Sequence, residues 1–187
     1  MRLFVAVELP PDVKDALYRD AMYLRGEGVR ASYPSRDAYH ITLKFLGEVP
    51  DGDVEGVCRA LSSVSGVPPF EVRVEGRGVF PGFSSPRVVW CGVAEGASSL
   101  SALSSAVEEA LEPLGFERET RPFVPHITLC RVKRVGMREK RLIRDFCREA
   151  ASYGAFWVRR FALFRSILRP EGALYRVIKS FPLEGGE

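Results

Sequence analysis

Apolar positions along this chain alternate between two spacings, and each change of spacing falls at a turn residue. Leu3 to Leu9 is nearly continuous apolar chain and predicts a strand, ended by Pro10-Pro11. From Asp12 the spacing lengthens. Val13, Ala16, Leu17, Ala21 and Leu24 share one face of a helix closed by Gly26. A loop through Ser32-Tyr33-Pro34-Ser35 leads to a strand over about 39–46. Gly47 and Pro50-Asp51-Gly52-Asp53 mark a turn, and Val54, Val57, Cys58, Leu61 and Val64 then form a second amphipathic helix. Phe70 to Glu75 alternates strictly, as a half-exposed strand does.

The second part of the chain follows the same rhythm. Gly76 to Pro86 is a Gly/Pro/Ser-rich loop carrying Phe80 and Phe83, either a plain connection or the lip of a site. Arg87 to Ala94 predicts a strand. Ser98 or Ser99 can cap a helix with Leu100, Leu103, Val107, Leu111 and Leu114 on its apolar face, stopped by Gly115. A short strand is expected around 116–119, and another beginning near Pro125, a residue tolerated at a strand's start. Residues 131–148 include a helix whose apolar face is Leu142, Ile143, Phe146 and Cys147. Strands over about 156–165 and 173–181, joined by a turn at Pro170-Glu171-Gly172, complete the chain. Strand, amphipathic helix and strand thus recur, from Leu3 to Leu43 and from Val88 to Leu129. The order predicts an α+β fold built by duplication.

Both copies end in the same four residues. His40-Ile41-Thr42-Leu43 and His126-Ile127-Thr128-Leu129 both read HITL, and they hold the only two histidines of the chain. In a strand, side chains two apart share a face, so each copy presents an imidazole beside a hydroxyl while Ile and Leu turn to the core. One such tripeptide would be a weak signal. Duplicated, with histidine this rare, it predicts two motifs facing each other across a cleft.

Composition narrows the alternatives. At 187 residues with 46% hydrophobic and 27% charged residues, the chain can bury a real core as one domain or two small lobes. A net charge of +3 does not by itself announce a nucleic-acid binder. MRLFVAVELPPD is too short an apolar run for a signal peptide or a membrane span, so a cytoplasmic protein is expected. Cys58, Cys91, Cys130 and Cys147 are widely spaced, without CxxC or clustering with histidine, which argues against a disulfide framework or a zinc site. Alternation puts Cys130 on the face of His126 and Thr128, a remote second nucleophile.

Two histidines can divide into one neutral base and one protonated acid near neutrality. That suits in-line displacement at phosphorus, one ring taking a proton from the attacking oxygen and the other giving one to the leaving oxygen. Thr42 and Thr128 can donate to the non-bridging oxygens, and Arg131, five residues past His126, can add a bidentate contact. No metal or cofactor is required, and two histidines without a carboxylate cluster make a poor divalent-ion site. The stretch 131–148 is the most basic, with Arg131, Lys133, Arg134, Arg138, Lys140, Arg141, Arg144 and Arg148. It reads equally as a solvated helix face or as a landing surface for phosphates. A non-catalytic RNA-end binding module using that surface is the competitor. Paired histidines argue against it, since phosphate binding alone is better served by Arg or Lys.

On these residues the chain resembles the 2H phosphoesterases, specifically the bacterial and archaeal RNA 2′,3′-cyclic phosphodiesterases historically called 2′-5′ RNA ligases. The family is defined by two HxTx motifs, matched at 40–43 and 126–129. The likeness extends to RLFVAVELP, HITLKFLGEV, VFPGFSSPRVVW, RPFVPHITLCRV and SILRPEGALYRVIKSFPL, essentially the whole length. The resemblance implies a single domain over 1–187 made of two pseudo-symmetric lobes, with antiparallel sheets flanking a central cleft. It implies hydrolysis of RNA 2′,3′-cyclic phosphate ends, tRNA fragments among them, to 2′-phosphomonoesters by a monomer. His40 would be the proton donor and His126 the acceptor, with Arg131 on the phosphate. The same residues run backwards would ligate a cyclic phosphate to a 5′-hydroxyl. Base preference does not transfer. Tyr39, Lys44, Phe80, Phe83 and Phe123 are candidates to touch base or ribose, core packing being the alternative for most of them.

Overall fold

A computed structural model describes residues 1–184. In chain order the main elements are β1 (Arg2–Glu8), α1 (Pro11–Gly26), β2 (Arg30–Ser32), β3 (His40–Glu48), α2 (Val54–Ser62), β4 (Phe70–Phe80), β5 (Val88–Val93), α3 (Ala97–Leu111), β6 (His126–Arg134), α4 (Met137–Arg148), β7 (Ser152–Val158), β8 (Arg160–Ile167) and β9 (Leu174–Pro182). They form two antiparallel sheets, ordered β3-β1-β8-β9 and β2-β6-β5-β4-β7.

The helices form for local reasons and pack for non-local ones. Pro11 starts α1, where its missing N–H costs nothing, and Asp12 in the first turn and Arg25 in the last complement the helix dipole. Its buried face is Val13, Leu17, Ala21 and Leu24. The α3 face is Leu100, Leu103, Val107 and Leu111, while Leu114 stays half exposed in a short 3-10 turn. Each of these two helices leaves the sheet of its preceding strand. α1 follows β1 of the first sheet but packs on β6 and β7 of the second; α3 follows β5 of the second sheet but packs on β3 of the first. One buried cluster therefore runs beneath both sheets, from Val5 and Ile41 to Val89, Ile127 and Leu129. The two motif strands β3 and β6 lie against each other where the sheets meet.

Several local expectations are corrected. β4 does not stop at Glu75: Gly76–Phe80 continue it, because Arg77 to Phe80 pair with Val88 to Cys91 of β5. Gly96, at φ +88, precedes α3 in place of Ser98 or Ser99; a Cβ there would collide with the Glu71 carbonyl. Residues 116–119 form no strand, and the run expected over 156–165 is two strands broken at Arg159. The short strand β2 and most of β7 carry too little apolar alternation to be legible.

One polar cluster ties the second sheet to its helices. Arg77 donates to Tyr153 Oη at 2.7 Å, to the Phe146 carbonyl at 2.8 Å and to Asp20 at 2.5 Å, with its guanidinium stacked 3.8 Å above the Phe146 ring. Four elements (α1, β4, α4 and β7) meet there. No helix among the described residues is long and apolar enough to cross a membrane.

Candidate active site

Both motif strands are interrupted at the same point. β3 runs antiparallel to β1 as His40–Glu8, Ile41–Val7 and Thr42–Ala6, then skips Leu43 so that Lys44 faces Val5. β6 runs antiparallel to β5 as His126–Gly92, Ile127–Cys91 and Thr128–Trp90, then skips Leu129 so that Cys130 faces Val89. An extra residue of this kind is a β-bulge, and it turns every following side chain to the other face. The bulge decides two residues. Strict alternation would leave Arg131 on the face opposite His126; the bulge returns it to the cleft beside His126 and Thr128. Cys130 is correspondingly turned into the core, where burial pushes its thiol up to about 12, and it is no nucleophile. Cys91 is buried as well, while Cys58 and Cys147 are half-buried at the core's edge.

Each histidine is held the same way. His40 Nδ1 lies 2.7 Å from the Ala38 carbonyl, and His126 Nδ1 lies 2.7 Å from the Val124 carbonyl. A carbonyl only accepts, so the proton of each neutral ring sits on Nδ1 and the Nε2 lone pair is presented. The Thr42 hydroxyl, 2.9 Å away, donates to Nε2 of His40. Nε2 of His126 has no hydrogen-bond partner among the described residues.

The walls differ. His40 is set among Phe4, at 4.8 Å between ring centroids, Tyr175 edge-on at 5.2 Å and Phe164 at 6.5 Å. Phe4, Ala6, Ala162 and Phe164 form a second apolar cluster on this cleft face, apart from the main core. His126 meets Phe80 edge-on at 5.1 Å and Trp90 at 6.4 Å. Gly78 admits this arrangement, since a Cβ there would collide with the Trp90 indole. Desolvation by these rings pushes His40 down to about 4; its bond to Ala38 opposes the shift, and the charges of His126, Lys14 and Arg131 add to it. Burial likewise lowers His126, against its bond to Val124 and with help from Arg131. Burial raises Tyr175 while Arg131 pulls it back, so one guanidinium acts on groups of both walls.

The other candidates separate clearly. Phe80 stands beside His126 as a lip residue, and Phe83 is exposed in the following turn. Tyr39 is buried, its hydroxyl without a partner among the described residues, and Phe123 packs at the core's edge. Lys44 points inward to Glu108 at 2.8 Å and the Glu117 carbonyl at 2.8 Å, where it is buried. α4 buries Ile143 and Phe146 on the core side of the second sheet, so Arg138, Arg141 and Arg144 look away from the cleft. Of the basic stretch, Arg131 joins the site. Phe45 lies on the cleft face opposite Phe4 and is 69% exposed. The bulge that puts it there has no signature in the alternation.

The LigT-like phosphoesterase family matches the chain twice, over residues 7–90 and 92–175, with one HITL in each segment. An RNA 2′,3′-cyclic phosphodiesterase of Archaeoglobus fulgidus is 40% identical over 182 residues, covering 97% of this chain and 99% of that protein. A Thermus thermophilus protein of solved structure is similar with a TM-score of 0.81 and 32% identity over the whole of both chains. Escherichia coli LigT, solved in complex with 3′-AMP, shares the fold with a TM-score of 0.75 at 23% identity, over 97% of each chain.

Proposed function

The chain belongs to the LigT-like phosphoesterase family, and on that premise we propose that it hydrolyses RNA 2′,3′-cyclic phosphodiester ends to 2′-phosphomonoesters, with His126 as base and His40 as acid. The observation that carries this reading is the pair of rings, each tied through Nδ1 to a carbonyl two residues upstream, presenting Nε2 to a cleft that Arg131 enters. His126 Nε2 takes a proton from water as the water oxygen bonds to phosphorus on the side opposite the 3′ oxygen. The bond from phosphorus to that oxygen breaks, and its electron pair accepts the proton of His40 Nε2. The Thr42 and Thr128 hydroxyls and the Arg131 guanidinium donate to the non-bridging oxygens as their charge grows. In the acid form His40 Nε2 carries the proton and donates to Thr42 Oγ, which leaves the Thr42 hydroxyl proton for a non-bridging oxygen.

The substrate in this reading is an RNA end carrying a cyclic phosphate, with tRNA fragments among the candidates, handled by a monomer. Four unpaired cysteines suit a reducing cytoplasm. Both proton transfers are assigned to side chains, so the reaction needs no metal. An RNA oligomer ending in 2′,3′-cyclic phosphate, incubated with the protein in excess EDTA, is expected to yield a 2′-phosphate by chromatography. A 3′-phosphate product, or activity abolished by EDTA and restored by a divalent ion, would refute the assignment.

The lowered histidines set the pH dependence. Catalysis needs one ring protonated and the other neutral, and in the free enzyme both titrate below their ordinary 6.5, His40 at about 4. At neutral pH both are therefore neutral, and the competent form falls about tenfold per pH unit as pH rises. The maximum of kcat/KM is expected on the acid side of pH 6.5. An anionic phosphodiester beside His40 favours its cation, so the alkaline limb of kcat lies higher than that of kcat/KM. Initial rates across the pH range measure both limbs. A kcat/KM maximum on the alkaline side of neutrality would contradict this account.

A further inference from the structure

The motif strands β3 and β6 bury their residues in the same pattern, so each position of one has a counterpart in the other, from His40 and His126 to Glu48 and Arg134. At their far ends the two copies diverge in charge. β6 finishes on Lys133 and Arg134, β3 on Gly47 and Glu48. Glu48 faces Arg2 across the strand pair, and Asp51 and Asp53 follow in the next turn, with the amino terminus 3.5 Å from Asp51. One end of the duplicated frame is therefore basic and the other acidic.

The basic end sets like charges side by side. The edge strand β2 pairs with β6 as Ser32–Arg131, Ala31–Val132 and Arg30–Arg134, skipping Lys133. Arg30 lies two residues from Ser32, so Arg30 and Arg134 share the face that carries Arg131. These two arginines stand directly opposite each other and both are exposed, an arrangement that destabilises a strand pair. Neither they nor Lys133 have an ion-pair partner among the described residues. Glu139, whose carboxylate feels Arg30, is engaged with the Gly136 N–H and Arg138. An external anion on this face would relieve the repulsion.

We propose that the RNA strand on the 5′ side of the cyclic phosphate leaves the cleft along β6, its phosphodiesters passing Lys133 and then the Arg30–Arg134 pair. The proposal rests on the hydrolysis reading above. With the terminal phosphate on Arg131, Lys133 stands about 7 Å and Arg134 about 10 Å further along the strand, the distance of a nucleotide or two. Such contacts act on the backbone charge and not on base identity, which suits RNA ends of varied sequence. The opposite way out, past Glu48, Asp51 and Asp53, repels the same chain. A frame with two equivalent exits thus offers a polyanion only one of them.

The test compares cytidine 2′,3′-cyclic phosphate, which has no upstream phosphate, with a single-stranded pentanucleotide ending in the same cyclic phosphate. The readout is the ratio of kcat/KM on the oligomer to kcat/KM on the mononucleotide. A triple variant, Arg30→Gln with Lys133→Gln and Arg134→Gln, is expected to lower the ratio about tenfold or more at low salt, with mononucleotide turnover unchanged. The fall of log kcat/KM with log salt concentration on the oligomer should become shallower by about 2, the slope carried by three phosphate contacts. Its melting temperature is expected to hold or rise, since the opposed charges are gone. The counterpart variant, Glu48→Gln with Asp51→Asn and Asp53→Asn, is expected to shift the ratio by less than about twofold. A gain there as large as the loss in the first variant would reduce the effect to net charge and overturn the path. A lowered melting temperature with mononucleotide turnover lost as well would make the three cations structural and overturn it too. An unchanged ratio in the first variant, with both substrates still turned over, overturns the path and leaves the hydrolysis reading standing. A parent enzyme that hydrolyses neither substrate overturns both.

Discussion

Replacing His126 with alanine is expected to lower kcat about 10²–10⁴-fold, the contribution of one positioned acid or base. His40→Ala is expected to do the same, because the attacking oxygen and the leaving oxygen each depend on one ring. The double variant should fall little below either single one, since residues acting as a unit do not add. RNA affinity should change by a few-fold only, with Arg131 and both hydroxyls still in place. Single-turnover rates, filter binding and melting curves on the same preparations separate the possible roles. Turnover within tenfold of the parent would end the two-histidine mechanism. Loss of activity in step with loss of melting temperature would make the histidines structural, a result their half-buried positions on the cleft face do not favour.

The largest stability effect is expected from Glu108→Ala, about 3–5 kcal/mol, because it strands a buried ammonium. The side chains of Lys44 and Glu108 are only 7% and 12% exposed, and they meet at 2.8 Å. Without the carboxylate, Lys44 keeps only the Glu117 carbonyl as a partner among the described residues. The Glu119 N–H, 3.3 Å from Glu108, loses its acceptor too. Lys44→Met with Glu108→Leu is expected to recover most of the loss, since removing both partners also removes the cost of desolvating them. Urea unfolding of the parent and of both variants measures this. A loss under about 1 kcal/mol for Glu108→Ala, as for an exposed pair, would mean that water reaches the ammonium. The ion pair sits beneath the bulge of β3, and Ser104 caps the Leu43 carbonyl at 3.0 Å in the same place. The stability of this pair and the geometry of His40 and Thr42 are therefore linked.

The helices and most strands were legible because each depends on residues close in sequence. Val13, Leu17, Ala21 and Leu24 recur at helical spacing whatever they pack against. Both HITL strands were legible for the same reason, as were the rings and hydroxyls they present. The sequence offers Arg131 to the site without a geometric cause: five is an odd offset, and only the skipped Leu129 puts it beside His126. The same skip removed Cys130 from the site. Lys44 was mistaken for a possible ligand contact because its partner, Glu108, lies 64 residues away on a helix that crosses to the other sheet.

The sequence by itself determined the duplicated strand–helix–strand units, the two imidazoles with their neighbouring hydroxyls, and the class of chemistry these groups can perform. Those follow from local periodicity and from the identity of the side chains. Tertiary structure decided which sheet each helix covers, that both motif strands bulge at the same leucine, and that Arg131 and Phe45 return to the cleft face at equivalent places. A bulge is fixed by the register of pairing between strands, and register is set by how two distant segments bury their apolar faces together. No single stretch of chain contains that information.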